Sequence, residues 1–320
     1  MTETMPARLA HFPIAFYAML MGLLGFAIVW LRADSIVAVP HIIGLGILAF
    51  AGLAFLAVTT LYILKFLRHR DAVLAELNHP VKRNFFATFS ITLILISIAL
   101  MHLAPGISLG FWVVGSALQL VFLLYVMSIW INHTSFQIQH MNPAWFIPVV
   151  GNIIVPIGGV FHGFVEISWF YFSIGLIFWI VLLGIIFYRV IFHDPLPERL
   201  VPTLFILIAP PAVGFLSYMV LTGHLDAFAR ILVYAAFFFT LLLFTQIGLF
   251  SRIKFFLSWW AYSFPMAAMT LAAMVLYEHT GLHAHHVLAI GLLVIFTLII
   301  IGLIYRTALA IWRNEICVPE

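Results

Sequence analysis

The stretch Pro148-Val149-Val150-Gly151-Asn152-Ile153-Ile154-Val155-Pro156 places two prolines eight residues apart in an uncharged apolar run. A proline inside a membrane helix removes one backbone hydrogen bond and clashes with the carbonyl four residues back, so it bends the helix and leaves polar backbone needing a partner. Lipid offers no partner, and irregular backbone survives at membrane depth only where protein buries it or where it lines a cavity. The stretch therefore belongs to an interior helix. Of the chain's 15 prolines, those inside apolar segments fall only in odd-numbered ones. Pro13 is in the first, Pro148 and Pro156 in the fifth, Pro202, Pro210 and Pro211 in the seventh, and Pro265 in the ninth. The odd segments are expected to face an interior and the even ones the lipid.

Hydrophobic residues make up 65% of the 320 and charged ones only 8%, which leaves no room for a sizeable soluble domain. A helix needs roughly 20 apolar residues to cross the bilayer core. Spans are expected near 11–31, 41–67, 84–103, 108–130, 144–162, 168–192, 200–222, 227–250, 257–277 and 284–312, in one integral membrane domain covering 1–320. The fold class is thus all-α and polytopic, with ten transmembrane helices. The first span is too long for the apolar core of a signal peptide and is expected to remain. Lysine and arginine are retained on the cytoplasmic side. Only Arg32 and Arg230 of the 14 would lie outside if the loop holding Arg68, Arg70, Lys82 and Arg83 is inside, so both termini are expected to be cytoplasmic. That asymmetry is also what membrane insertion alone produces.

Short external connections at Ala104 to Ile107 and Gly223 to Asp226 make consecutive segments antiparallel neighbours. The expected architecture is five hairpins around one axis, with odd helices lining a central pore and even helices outside. Two inverted repeats of five helices are the rival plan. The sixth segment disfavours it, having no proline between Ser168 and Phe192. Coupled pumps usually hold an ionisable residue near the midplane, whereas here every Asp, Glu, Lys and Arg falls at or beyond a segment end.

An enzyme is disfavoured by the absence of a membrane-depth His/Asp/Glu cluster, a glycine-rich phosphate loop or a nucleophile and base pair; no cofactor is expected. His102 and His162 stand at external segment ends and read as capped ends. Glu278-His279-Thr280-Gly281-Leu282-His283-Ala284-His285-His286 reads first as an interfacial loop, although its imidazoles have the chemistry to bind a transition metal or to titrate near pH 6.5. Trp259 and Trp260 suit an interfacial belt. Asn152 reads equally as a pore amide and as an interhelical hydrogen-bond donor; Gln119 and Gln246, on even helices, read as glue between helices. Cys317 stands alone and reads as inert. The kink prolines are expected to free carbonyls, Asn152 for Pro156 and Ala261 for Pro265, and free carbonyls favour cations, so the residues by themselves do not select anions.

His11-Phe12-Pro13-Ile14, the Pro148 to Pro156 stretch, Ala209-Pro210-Pro211 and Trp259-Trp260-Ala261-Tyr262-Ser263-Phe264-Pro265-Met266 together resemble the TehA-type family. That family joins tellurite-resistance proteins, dicarboxylate transporters, sulfite exporters and the plant slow anion channels. The resemblance runs from about residue 10 to 312. It implies a homotrimer whose subunits each have an anion pore, lined by the odd helices and occluded by a phenylalanine that maps to Phe264, with Tyr262 the next candidate. Phe264 also precedes Pro265, which presents its ring at the apex of a bend. Several relatives bend the third helix at a proline where this chain has Ser90, so a straighter third segment is expected here.

The expected function is an anion channel or uniporter with a neutral kinked-helix pore. The alternative is a proton-coupled exporter of C4-dicarboxylate, sulfite or tellurite-like oxyanions. Partners are small inorganic or organic anions and membrane lipid, not nucleic acid, and the expected location is a bacterial inner membrane.

Overall fold

Every apolar run long enough to cross a bilayer becomes helix, and the described residues contain no strand. The computed structural model describes residues 5–132 and 136–318. Among the described residues ten spans are long and apolar enough to cross a membrane, from Phe16–Ser35, Ile42–Arg68, Lys82–Leu100, Pro105–Asn132 and Pro143–Phe161 to Val165–Phe192, Val201–Thr222, Ala227–Thr245, Leu257–Thr280 and His283–Trp312. The chain is an integral membrane protein. The expected eighth span ran to 250; its helix instead stops at Thr245, and a separate turn follows at Ile247–Phe250.

Burial separates the spans into two sets. In the odd spans 67–83% of the most apolar stretch is buried, against 17–39% in the even ones. The odd helices touch in a closed order, first to third to fifth to seventh to ninth and back to the first, and each also packs on the even helix that follows it. Contact at the first-to-ninth seam is close enough to require glycine: a Cβ on Gly22 would stand 2.0 Å from Ser263 Oγ and 3.2 Å from the Trp260 ring.

The odd spans are also irregular. Short 3-10 stretches at Lys82–Phe86, Gly151–Ile154, Val201–Ile208 and Leu257–Tyr262 lead into α-helix at Ala87–Leu100, Val155–Phe161, Ala209–Thr222 and Ser263–Thr280. At such a junction one carbonyl is offered donors both three and four residues ahead, so a proline there removes a donor without orphaning the acceptor. Pro156, Pro210, Pro211 and Pro265 all stand within the first three residues of their α-helices. This corrects one expectation: the Asn152 carbonyl is not freed by Pro156, because it accepts the Val155 N–H. Leu207 differs, since its three- and four-residue donors would be Pro210 and Pro211 and neither exists. Pro148 lies within the short helix Phe146–Val150. Pro13, expected inside a helix, stands in the non-helical link between Met5–Ala10 and Phe16–Arg32. The third segment is not regular throughout either; it starts as 3-10 although it has no internal proline.

Two ionic ties fix the ends of the first segment. Lys65, 1% exposed, donates to the Phe12 carbonyl at 2.9 Å and pairs with Glu76 at 3.0 Å, and Glu76 accepts the Tyr62 hydroxyl at 2.9 Å. A buried pair of this kind holds position more than it stabilises; here it anchors the break ahead of Phe16. At the other end Arg32 pairs with Glu278 at 2.5 Å, and Ser35 donates to the same carboxylate at 3.0 Å, joining the first span to the ninth. The seventh and ninth helices end on Gly223 and Gly281 in the left-handed region, the conformation glycine adopts without a Cβ penalty.

Candidate functional site: an apolar cavity among the odd spans

A cavity with about 650 Å³ of empty volume lies where the odd spans change from irregular backbone to α-helix. Ala18 and Met21 come from the first span, Phe85, Thr88 and Ile91 from the third, and Phe146, Ile147, Val150, Gly151, Ile153 and Ile154 from the fifth. The seventh adds Ile206, Ala209, Pro210 and Val213, and the ninth Trp260, Ala261, Phe264 and Pro265. No lining residue comes from an even span and none is ionisable. The two side chains with a nitrogen or oxygen are already engaged: Thr88 Oγ1 donates to the Phe85 carbonyl at 2.5 Å and Trp260 Nε1 to Thr307 Oγ1 at 2.9 Å.

Of the sequence-derived candidates, Phe264, Pro210 and Pro265 line this cavity. Pro13, Pro148, Pro156 and Pro211 are not among its lining residues. Tyr262 turns elsewhere, packing on Phe205 at 4.7 Å and Phe250 at 5.8 Å with its buried hydroxyl unpartnered. Asn152 is fully buried and outside the lining. Its Nδ2 donates to the Val149 carbonyl at 2.7 Å and the Pro148 carbonyl at 3.2 Å, and Oδ1 has no partner. Both acceptors lie in its own span, so the amide does not form the bond between helices that the sequence suggested.

Gln119 does bridge helices, accepting from Ser90 at 2.6 Å and donating to the Pro148 carbonyl at 2.9 Å, so Ser90 and the fourth span brace the fifth. Gln246 does not; it is exposed at the helix break after Thr245, and its side chain donates to its neighbour Thr245. Trp259 donates to the Lys254 carbonyl, whereas Trp260, expected in the interfacial belt, is 1% exposed and forms cavity wall.

The histidine run is mostly helix rather than loop, since the ninth helix ends at Thr280 and the tenth begins at His283. Three of its four rings are hydrogen-bonded: His279 with the Val275 carbonyl, His285 with Thr280 and His286 with the Ile36 carbonyl. Among the described residues no group of three or more metal-ligating side chains converges. His162 shares a hydrogen bond of 2.9 Å with Ser108, and desolvation pushes its pKa below the usual imidazole value. Asp226 caps the eighth helix through the Ala229 N–H at 2.9 Å, a bond that holds its carboxyl below the ordinary range.

Phe85 and Phe146 are lining rings that sequence reasoning missed. With 32 phenylalanines in the chain, nothing singles them out except a position beside the first α-helical turn of a buried span.

Fold and site define an all-helical integral membrane protein whose buried spans share an uncharged cavity. Comparison narrows this: residues 11–308 match the SLAC1 family, described as a voltage-dependent anion channel, and the chain belongs to that family. It is 28% identical to the S-type anion channel SLAH2 of Arabidopsis thaliana, over 83% of this chain and 53% of that protein. It is 26% identical to an uncharacterized transporter of Methanocaldococcus jannaschii, over 90% and 91% of the two chains. It is also 26% identical to a tellurite resistance protein TehA homolog of Haemophilus influenzae, over 89% and 90%. The chain thus spans about half the length of the plant protein and nearly all of the archaeal and bacterial ones.

Proposed function

We propose that this protein is a passive anion channel or uniporter whose pore runs through the cavity and is closed by the ring of Phe264. The observation that supports this most is the composition of the lining: residues from all five odd spans, none from an even span, and no ionisable side chain. A bulky apolar ring at a narrow apolar point blocks ions sterically and by excluding water. Anions as the cargo are inferred from the family. The lining adds a selectivity rule, because no charged group offsets the loss of an ion's hydration shell; weakly hydrated anions such as nitrate should pass more readily than chloride. The same lack of an ionisable lining residue leaves a proton-coupled exporter without a proton carrier in the cavity.

In this reading the odd and even spans form five hairpins around the pore in one domain, both termini face the cytoplasm, and the protein works as a homotrimer in a bacterial inner membrane. Reversal potentials of the purified protein in planar bilayers under chloride, nitrate, malate and proton gradients test the function. A potential that follows the anion gradient and ignores pH supports the channel. One that shifts with the proton gradient at fixed stoichiometry replaces it with the exporter.

A further inference from the structure

A second cavity, an apolar groove, lies between the fourth and sixth spans beside the start of the fifth, and no residue of the first cavity takes part in it. Its walls include Met127, Trp130, Phe136, Trp145, Leu182 and Ile185. Two of the wall residues carry hydrogen-bond donors without acceptors, and a third such donor belongs to Arg83, which packs on the wall residue Phe136. Trp130 and Trp145 stack at 4.7 Å, and the Nε1 of each is buried and unpartnered. Arg83, 8% exposed, has its guanidinium 5.7 Å from the Phe136 ring, which lies 5.8 Å from Trp145; its Nη2 donates to the Asn78 carbonyl while Nε is buried without an acceptor.

A buried donor with no acceptor costs about 1–3 kcal/mol, and two indole N–H groups with one guanidinium N–H in the same condition ask for an acceptor-rich anionic group. Beyond them the groove is purely apolar and opens past Val181, 48% exposed, on the side of the weakly buried even spans. The complementary molecule has a hydrocarbon chain and a phosphate head. We propose that this groove binds an anionic glycerophospholipid, one acyl chain lying between the fourth and sixth spans and the phosphodiester accepting from Trp130 Nε1, Trp145 Nε1 and Arg83 Nε. In the topology proposed above, the donor end faces the cytoplasm and the lipid comes from that leaflet; the site itself does not depend on the channel reading.

The test uses the full chain purified in mild detergent. Thermal unfolding midpoints are measured with added phosphatidylglycerol, with phosphatidylcholine of the same chains, and with inorganic phosphate, and retained lipid is counted by native mass spectrometry. Phosphatidylglycerol should raise the midpoint and be retained, phosphatidylcholine should do so less, and phosphate alone should do nothing. The double variant Trp130→Phe with Trp145→Phe keeps the rings and removes the donors, so its half-saturating phosphatidylglycerol concentration should rise on the order of tenfold. Ile185→Trp fills the groove from another wall, independently of the donors, and should abolish retention.

Stabilisation by phosphate alone would overturn the lipid in favour of a free anion. Equal effects of the two lipids would overturn the headgroup contacts. Unchanged retention in both variants would place the lipid elsewhere, and photo-crosslinking from position 185 to a second copy of the chain would identify the groove as a subunit interface.

Discussion

The fifth and sixth spans are joined by only three residues, both are apolar throughout their cores, and they obey opposite rules. The fifth has 78% of its most apolar stretch buried and changes between α and 3-10 backbone, with Pro148 and Pro156 inside it. The sixth has 33% buried and runs as one unbroken helix from Val165 to Phe192. Apolar character does not distinguish them; proline content and backbone regularity do. A span facing lipid must satisfy every peptide group within its own helix, while one packed among other spans can leave the α pattern because neighbours and side chains supply partners. Gln119 does this for the Pro148 carbonyl. The third span shows that burial, not proline, is the common factor: with no internal proline it is 83% buried and still begins as 3-10.

The contrast breaks most directly if proline is moved across it. Phe238 is 59% exposed on the eighth helix, so Phe238→Pro removes little packing but one backbone bond with no neighbour to replace it. It should cost about 3 kcal/mol or more and sharply reduce recovery of folded protein in detergent. The reciprocal change, Pro211→Ala, gives residue 211 an N–H for the Leu207 carbonyl and should leave the protein folded. If α-helix then spreads into Val201–Ile208, eight residues would shorten by about 4 Å in total, shifting Ile206 in the cavity wall, and conduction should fall more than expression. Equal tolerance of both changes would end the distinction between the two sets of spans.

Glycines give the next test. Gly22→Ala drives a methyl into Ser263 and Trp260 and should destabilise by about 1–3 kcal/mol. Gly291→Ala, on the tenth helix with open space around it, should be neutral or stabilise by up to about 1 kcal/mol. Thermal melts of the two variants measure the difference.

The smallest effect is expected at His162. Its pKa lies below the unfolded value because burial disfavours the cation, so between that lowered pKa and about 6.5 the unfolded chain binds more protons than the folded one. Its contribution is therefore complete above pH 6.5 and is lost as pH falls. Melting points at pH 7.5 and 5.5 should differ less in His162→Gln than in the parent protein.

Much of this was legible in the sequence. Apolar run length gave the number of spans, ten, and the proline pattern singled out the odd set, which is the more buried one. What was hidden depends on neighbours. Pro13 reads as a helix kink until Lys65, a residue 52 positions away, is seen holding the Phe12 carbonyl in a break. Asn152 reads equally as a pore amide and as a donor between helices, and only the structure shows its Nδ2 on carbonyls of its own span. Trp260 reads as an interface anchor until Thr307 of the tenth span takes its N–H. The 3-10 stretches leave no composition mark, because their hydrogen bonds differ from those of an α-helix by a single residue in register.

If the Phe264 ring closes an uncharged anion path through the odd spans, as proposed above, single substitutions at that ring must change conduction. Steady anion currents are compared at equal surface expression. Phe264→Ala should raise them several-fold, Phe264→Leu by less, and Phe264→Trp should remain closed, all three with the ion preference of the parent protein. An alanine variant with unchanged current would remove Phe264 from the gate, and one that opened to cations as readily as to anions would contradict the pore itself.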